Sequence, residues 1–248
     1  MPTDPAIAAW LPAYLRARER EGRLLPDEVV ARLPEVPRGH PLHGEWQARA
    51  DSARRLLAYV GDLPRPLAVM DIGCGNGWLA AAVARRPDTL VSGIDPNERE
   101  LAQAVRVFAG LPNLEFRLGD VLLVDAPAVR PDMILLASVI QYVADLPALI
   151  VRLGSWLADG GEIHVLDSPL YETAGVPAAQ ERSRQHYVAV GVPEMAAAYH
   201  HHTWASIERF APAILHQPAP TAGRLLRRLG GRVESPFPWL RIRGQDAR

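Results

Sequence analysis

The run Asp71-Ile-Gly73-Cys-Gly75-Asn-Gly77 is where residue types and spacing point most directly to chemistry in this 248-residue chain. Glycines at alternate positions let the backbone turn tightly and let a ligand approach the main chain closely. A dinucleotide fingerprint needs G-x-G-x-x-G, with a pyrophosphate on the helix N-terminus. Counted from Gly73, its third glycine would fall at position 78, which is Trp78. Asp71, just before the loop, would repel a pyrophosphate and suits a ligand that carries positive charge. Two further aspartates follow in order. Asp95, in Gly93-Ile-Asp95-Pro96, stands 18 residues beyond Gly77, where a carboxylate can accept both hydroxyls of a ribose. Asp120 and Val121 lie in Gly119-Asp120-Val121. Singly, each aspartate reads equally well as a turn or helix cap; their order and spacing carry the functional reading.

These residues need a scaffold that brings them to one edge. Leu67 to Ile72 is an apolar run ending at the glycine loop, and Trp78 to Arg86 follows as a helix. Leu90 to Ile94 is the next strand. Asn97 and Glu100 have capping-box spacing, ahead of a stripe of Leu101, Val105 and Phe108. Leu114 to Leu118 is a third strand, and Met133 to Ala137 a fourth, apolar throughout as a buried parallel strand should be. Asp145 caps a helix with Leu146, Leu149, Ile150, Leu153 and Leu157 inward, stopped by Gly160-Gly161. Glu162 to Leu166 is the fifth strand. Such alternation predicts βαβ units and a parallel sheet, with ligands outside the carboxyl ends of the strands. Those ends are Asp71, Asp95, Ser138 and Asp167.

The flanks are less regular. Residues 1–66 read as a helical extension or lid punctuated by prolines at 26, 34, 37 and 41. Within it Asp51 to Val60 forms a helix that Gly61 stops. Residues 67–167 are the cofactor-binding core and 168–216 a substrate-side insertion, with Trp204 to Phe210 helical. Residues 217–248 supply a helix at Ala222–Leu229, stopped by Gly230-Gly231, and a last strand or strand pair within Val233–Ile242. The whole is expected to form one domain.

Composition excludes several chemistries. The chain has no lysine; all 27 basic residues are arginine. A P-loop, a protein kinase and a pyridoxal enzyme each need a lysine. Cys74 is the single cysteine, so neither an intrachain disulfide nor a Cys-based zinc site forms. The formal net charge of −1 gives no basic field for nucleic acid. Arg224, Arg227, Arg228 and Arg232 read as a solvated helix face. Met1 to Tyr14 lacks a leading positive charge and is broken by Pro5 and Pro12, unlike a secretory signal. Met133 to Ala144 is too short to span a bilayer. The expectation is a cytoplasmic protein with no membrane partner; the oligomeric state is not readable.

The segments VMDIGCGNGWLA at 69–80, GIDPNERELAQA at 93–104, GDVL at 119–122, DMILLASVIQYV at 132–143 and LADGGEIHVLD at 157–167 resemble the class I S-adenosylmethionine-dependent methyltransferases, over about 100 residues. S-adenosylmethionine carries a sulfonium and an ammonium and no phosphate, which agrees with Asp71. The resemblance implies an α/β, Rossmann-like fold: a seven-stranded, mostly parallel sheet with helices on both faces, a cap insertion after strand 5, and a closing antiparallel hairpin that residues 233–243 complete. It implies that Asp71, Gly73, Gly75 and Gly77 cradle the methionine part of the cofactor. Asp95, with Pro96, would bind the ribose, Asp120 and Val121 the adenine, and Ser138 would line the floor near the sulfonium. Gln141 and Tyr142 would face the methyl group or the acceptor. The motifs of base-amine, cytosine-C5 and ribose-2′-O methyltransferases are missing, which leaves a small-molecule or lipid-like acceptor or a protein side chain.

Methyl transfer is mainly a matter of alignment, to which a general base can be added. Tyr142, His186 and His200 are the candidates for catalytic roles, with Tyr171, Tyr187, Tyr199, His201 and His202 nearby in sequence. Three adjacent histidines cannot all face one metal, so no metal site is expected, and a structural role competes for each. His40, His43, Trp46 and Arg49 are candidates for the lid, with Arg49 suited to the cofactor's carboxylate; a solvated helix anchored by Trp46 is the alternative. A non-catalytic cofactor-binding protein, a nucleic-acid methyltransferase and an NAD-type oxidoreductase are the competing functions.

Overall fold

A computed structural model describes residues 5–219 and 233–247; the helix expected at 222–229 and its arginine face lie outside them. The described residues build one sheet from β1 (Leu67–Ile72), β2 (Thr89–Asp95), β3 (Leu114–Leu118), β4 (Met133–Ala137), β5 (Glu162–Leu166), β6 (Ala213–His216) and β7 (Trp239–Arg243). Its order is β3-β2-β1-β4-β5-β7-β6. The first five strands are parallel, and β7 runs antiparallel between β5 and β6. The helices are α1 (Pro5–Arg20), α2 (Asp27–Val30), α3 (His43–Asp62), α4 (Trp78–Ala84), α5 (Glu98–Val107), α6 (Leu146–Trp156), α7 (Val176–Val190), α8 (Met195–Ala198) and α9 (Trp204–Ile207).

β4 shows why a central strand reads as uninterrupted apolar sequence. Successive side chains point to opposite faces, and both faces are covered. Met133 and Leu135 join the core built with Leu56 and Val60 of α3 and Ala80, Ala81 and Val83 of α4. Ile134 and Leu136 join the opposite core, with Leu146, Leu149, Ile150 and Leu153 of α6. Each such side chain contributes about 1.5–3 kcal/mol when fully buried. Asp145 accepts from the Ala148 amide at 2.9 Å and caps α6 as expected. The strand order reverses between β1 and β4, which opens a crevice at their carboxyl ends.

Two expectations from the sequence need correction. Gly61 does not stop α3, which continues to Asp62. The helix ends because Leu63 precedes Pro64 and is extended, with ψ 152°, as the residue before a proline prefers. The closing strand pair does not come from 233–243. That stretch supplies β7 alone, because Pro236 and Pro238 cannot donate to a ladder. Its partner β6 comes from 213–216, which the sequence had placed in the insertion. Among the described residues no helix is long and apolar enough to cross a membrane.

Candidate functional site

The loop leaving β1 has left-handed glycines at each alternate position: φ is 67° at Gly73, 52° at Gly75 and 74° at Gly77. A Cβ on Gly73 would lie 2.6 Å from Val139 Cγ2, so conformation and packing both demand glycine there. The loop is tied to β2. The amides of Gly73 and Cys74 donate to the Ile94 carbonyl at 2.7 and 3.2 Å. The Gly75 amide donates to Asp95 Oδ2 at 2.7 Å, and the Asn97 amide to Asp95 Oδ1 at 2.7 Å. Asp95 therefore binds the glycine loop to the start of α5. There Asn97 Oδ1 accepts from the Glu100 amide at 3.3 Å and Asn97 Nδ2 donates to Glu100 Oε2 at 2.7 Å, which is the expected reciprocal cap.

Burial and mutual repulsion raise the proton affinity of these carboxyls. Asp71 is pushed up to about 7 by burial and then by the charge of Asp95. Asp95 is pushed up to about 7 by burial and then by Glu100. Their ionised forms are poorly solvated, and positive charge beside them would relieve this. Burial also pushes the Cys74 thiol well up, so it is a packed side chain rather than a nucleophile.

A cavity of about 910 Å³ opens from this edge, at the large end for small-molecule sites. Its floor is the carboxyl edge of the sheet: Asp71, Gly73, Gly75, Asp95, Ser138 and Asp167. Tyr14, Ala17 and Arg18 of α1, with Glu21 just beyond its end, form one wall, Trp46 and Arg49 of α3 another. Arg182, Ser183, His186 and Tyr187 of α7 close the far side. Ser138, held at φ 61°, donates to the Asp167 carbonyl at 3.0 Å and accepts from Arg49 Nη1 at 3.2 Å. Asp167 Oδ1 accepts from Ser52 of α3 at 2.6 Å and from Ser235 at 3.0 Å. The end of β5 thus ties down both flanking segments.

Of the site residues named from sequence, Asp71, Gly73, Gly75, Asp95, Ser138, Tyr142 and His186 line this cavity, as do Gln141, Trp46 and Arg49. Gly77, Pro96, Asp120, Val121 and His200 are not on its lining. Asp120 is buried; its Oδ1 accepts from the Leu122 amide at 2.9 Å, while Oδ2 has no hydrogen-bond partner. The histidine run is divided. His202 is buried and its Nε2 donates to the carbonyls of Ile140 and Val143, both at 2.9 Å. His201 Nε2 lies 2.9 Å from the Ser183 hydroxyl. The His200 amide donates to the Gln141 carbonyl at 2.7 Å, while its ring, depressed in basicity by burial and by His202, faces elsewhere. No group of histidines and acids able to hold a metal occurs among the described residues. His186 is half-exposed and its Nε2 lies 2.7 Å from Glu21 Oε1. Tyr142 packs against Trp10, Tyr14 and Tyr199; burial holds its phenol above the usual range, which makes it a poor base near neutrality.

Sequence reading passed over Tyr14, Arg18 and Glu21. Their spacing, with Ala17, is i, i+3, i+4 and i+7, a helix face; the signal was present, but nothing in it said what that face covers.

Residues 69–161 match the family model described as a methyltransferase domain. Over that span the chain is similar to the class I S-adenosylmethionine-dependent methyltransferases. A trans-aconitate 2-methyltransferase of Acidovorax ebreus is 34% identical over 142 residues, covering 55% of this chain and 53% of the relative. A malonyl-[acyl-carrier protein] O-methyltransferase of Halalkalibacterium halodurans is 29% identical over 131 residues, covering 49% and 48%. The chain spans about half the length of the curated relatives it matches. The YcgJ protein from Bacillus subtilis shares the fold, with a TM-score of 0.54 at 17% identity over 73% of this chain and 77% of that one. The methyltransferase family's cofactor is S-adenosylmethionine. Two features of this cavity fit such a ligand. A left-handed glycine loop borders it, and its two buried carboxyls gain from a cation beside them.

Proposed function

We propose that this chain transfers a methyl group from S-adenosylmethionine to a small-molecule acceptor by direct displacement, as a cytoplasmic enzyme with no nucleic-acid or membrane partner. The observation that carries the proposal is the cavity itself. It joins the Asp71–Gly75 loop and Asp95 to a chamber walled by α1, α3 and α7. In this reading Asp71 and the glycines of 73, 75 and 77 hold the methionine part, Asp95 the ribose hydroxyls, Asp120 and Val121 the adenine edge, and Ser138 the floor. The bound cofactor supplies an activated methyl on a good leaving group. The protein's own work is then to exclude water and align the acceptor. Gln141 Nε2 is committed to the Ser138 carbonyl at 2.7 Å, while its buried Oε1 has no partner. That oxygen is ready to receive a hydrogen bond from a ligand. His186 and Tyr142 stay in the proposal as groups that touch the acceptor.

A carboxylate-bearing acceptor is the first class to screen. The relatives named above act on aconitate and a malonyl group. Arg182 lines the same chamber and makes no hydrogen bond or ion pair among the described residues. Calorimetry with S-adenosylmethionine, S-adenosylhomocysteine and NADH tests the cofactor part. Micromolar binding of both adenosyl ligands and none of NADH is expected; NADH binding alone would overturn the proposal. Conversion of S-adenosylmethionine in the presence of a panel of small di- and tricarboxylic acids tests the acceptor part.

The raised carboxyls give a signed pH dependence. A cation bound beside Asp71 and Asp95 lowers their proton affinity, so binding releases protons and tightens as pH rises through about 7. The sulfonium distinguishes the two adenosyl ligands. S-adenosylmethionine should therefore gain affinity relative to S-adenosylhomocysteine between about pH 6 and pH 8, and Asp71→Asn should flatten that gain. A ratio that does not move with pH in the parent would show that neither carboxyl senses the sulfonium.

A further inference from the structure

α1 does more than cover the sheet edge. Of the three residues it turns toward the cavity, Arg18 has the least ordinary surroundings. Its Nη2 donates to Glu100 Oε1 at 2.8 Å, with the two side chains 21% and 5% exposed. Its Nε is buried and has no hydrogen-bond partner. Glu100 is fully engaged, since its other oxygen accepts from Asn97 Nδ2 at 2.7 Å. Asn97 in turn donates its amide to Asp95, and Asp95 accepts from the Gly75 amide. An unbroken chain of hydrogen bonds thus runs from α1 through Glu100, Asn97 and Asp95 to the glycine loop.

Balancing the charge of Glu100 takes one end of the guanidinium. It does not account for a second, buried donor left without an acceptor, which native structures avoid. Arg18 lines the cavity, so an acceptor atom of a ligand that displaces its neighbours can meet this donor. Lysine would neutralise Glu100 without presenting that second N–H, whereas arginine presents Nε–H beside Nη2 on one edge of its rigid guanidinium. The other polar ties of α1 are weak. Arg16 pairs with Glu194 at the surface, 48% and 50% exposed, and exposed pairs stabilise little. Arg20, also exposed, donates to the carbonyls of Val190 and Gly191. Ala13 and Ala17 pack with Tyr187, Val192 and Met195 in a small separate cluster.

We propose that Arg18 is a ligand-contacting residue of the cofactor half of the cavity, its Nε–H donating to the bound adenosyl ligand while its Nη2 holds Glu100, so that filling the cavity and docking α1 favour each other. The inference rests on the cofactor reading given above. Reciprocity follows from linkage: if the docked helix improves binding, binding stabilises the docked helix by the same factor.

The test compares the parent with the double variant Arg18→Leu/Glu100→Gln and with Arg16→Ala, using S-adenosylhomocysteine as the probe. Calorimetry reads affinity, and amide hydrogen exchange over residues 5–20 reads docking. In the parent, ligand should slow exchange on α1. The double variant leaves no buried charge without a partner, so loss of charge balance alone would not weaken it. It should nonetheless bind at least about tenfold more weakly and lose the ligand-dependent protection of α1. Arg16→Ala should stay within about twofold of the parent. A double variant that binds within about twofold of the parent overturns the proposal, because Arg18 then only balances Glu100. Should the double variant fail to fold, Arg18→Lys decides, since it keeps the charge against Glu100: weakened binding supports the contact and unchanged binding overturns it. A folded parent that binds no S-adenosylhomocysteine fails differently, removing the cofactor reading and the Arg18 assignment with it.

Discussion

Asp95→Ala is expected to weaken S-adenosylhomocysteine binding at least about a hundredfold, the equivalent of two lost hydrogen bonds to a charged group at about 1.5–3 kcal/mol each. Its effect is compound. Besides the ribose hydroxyls it is proposed to hold, Asp95 accepts from the amides of Gly75 and Asn97, each at 2.7 Å. The variant leaves both amides without acceptors, so the glycine loop loses its tether to α5. Asn at 95 should not rescue binding. Its amide nitrogen would have to face one of two backbone N–H groups, and donor would meet donor. Titration calorimetry on the folded variants measures the effect. An affinity within about threefold of the parent would mean that Asp95 neither touches the ligand nor holds the loop in its binding shape.

Gly77→Ala should destabilise the fold by about 2–5 kcal/mol, combining left-handed strain of about 1–2 kcal/mol with overpacking of about 1–3 kcal/mol. Gly77 has φ 74°, and an added Cβ would stand 2.5 Å from Phe116 Cζ and 2.8 Å from Ala104 Cβ. The glycine therefore lets the loop lie against β3 and α5. Gly160 is the control. Its φ is 79°, yet a Cβ there meets nothing within 4 Å. Gly160→Ala should show the strain alone, about 1–2 kcal/mol. Urea unfolding of the two variants separates the contributions. Equal losses would show that the crowding at Gly77 relaxes at no cost.

The parallel part of this fold was legible because burial on both faces leaves a plain trace. Met133 to Leu136 cannot be polar at any position when two cores share the strand. The glycine loop was legible for a related reason: three left-handed backbone positions in one loop admit few residues other than glycine. The closing strands were not. Ala213–His216 is short and partly exposed, and it pairs with a strand more than twenty residues onward, so no local pattern announces it. The histidine run could not be divided from sequence: His202 is spent on two main-chain carbonyls and His201 lies beside the Ser183 hydroxyl, and both sets of partners come from distant segments. Arg18 shows the deepest limit. A helix face of Tyr14, Ala17, Arg18 and Glu21 is written in the sequence, but the partner that gives it meaning lies 82 residues away at Glu100.

The methyltransferase model covers residues 69–161, while the chamber's walls are raised by α1, α3 and α7, all outside that span. The two parts meet through the core that Leu56 and Val60 share with β4 and α4 and through polar ties such as Arg18 on Glu100 and Arg49 on Ser138. On the proposed function, the side chains that choose the acceptor stand largely in segments outside the matched span. Those flanking segments can be rewritten or exchanged between related chains while the glycine loop and its aspartates stay as they are, provided that each graft carries the side chains that fasten it. A lineage built this way can diversify what it modifies at the rate its flanks change, with the donor machinery inherited intact.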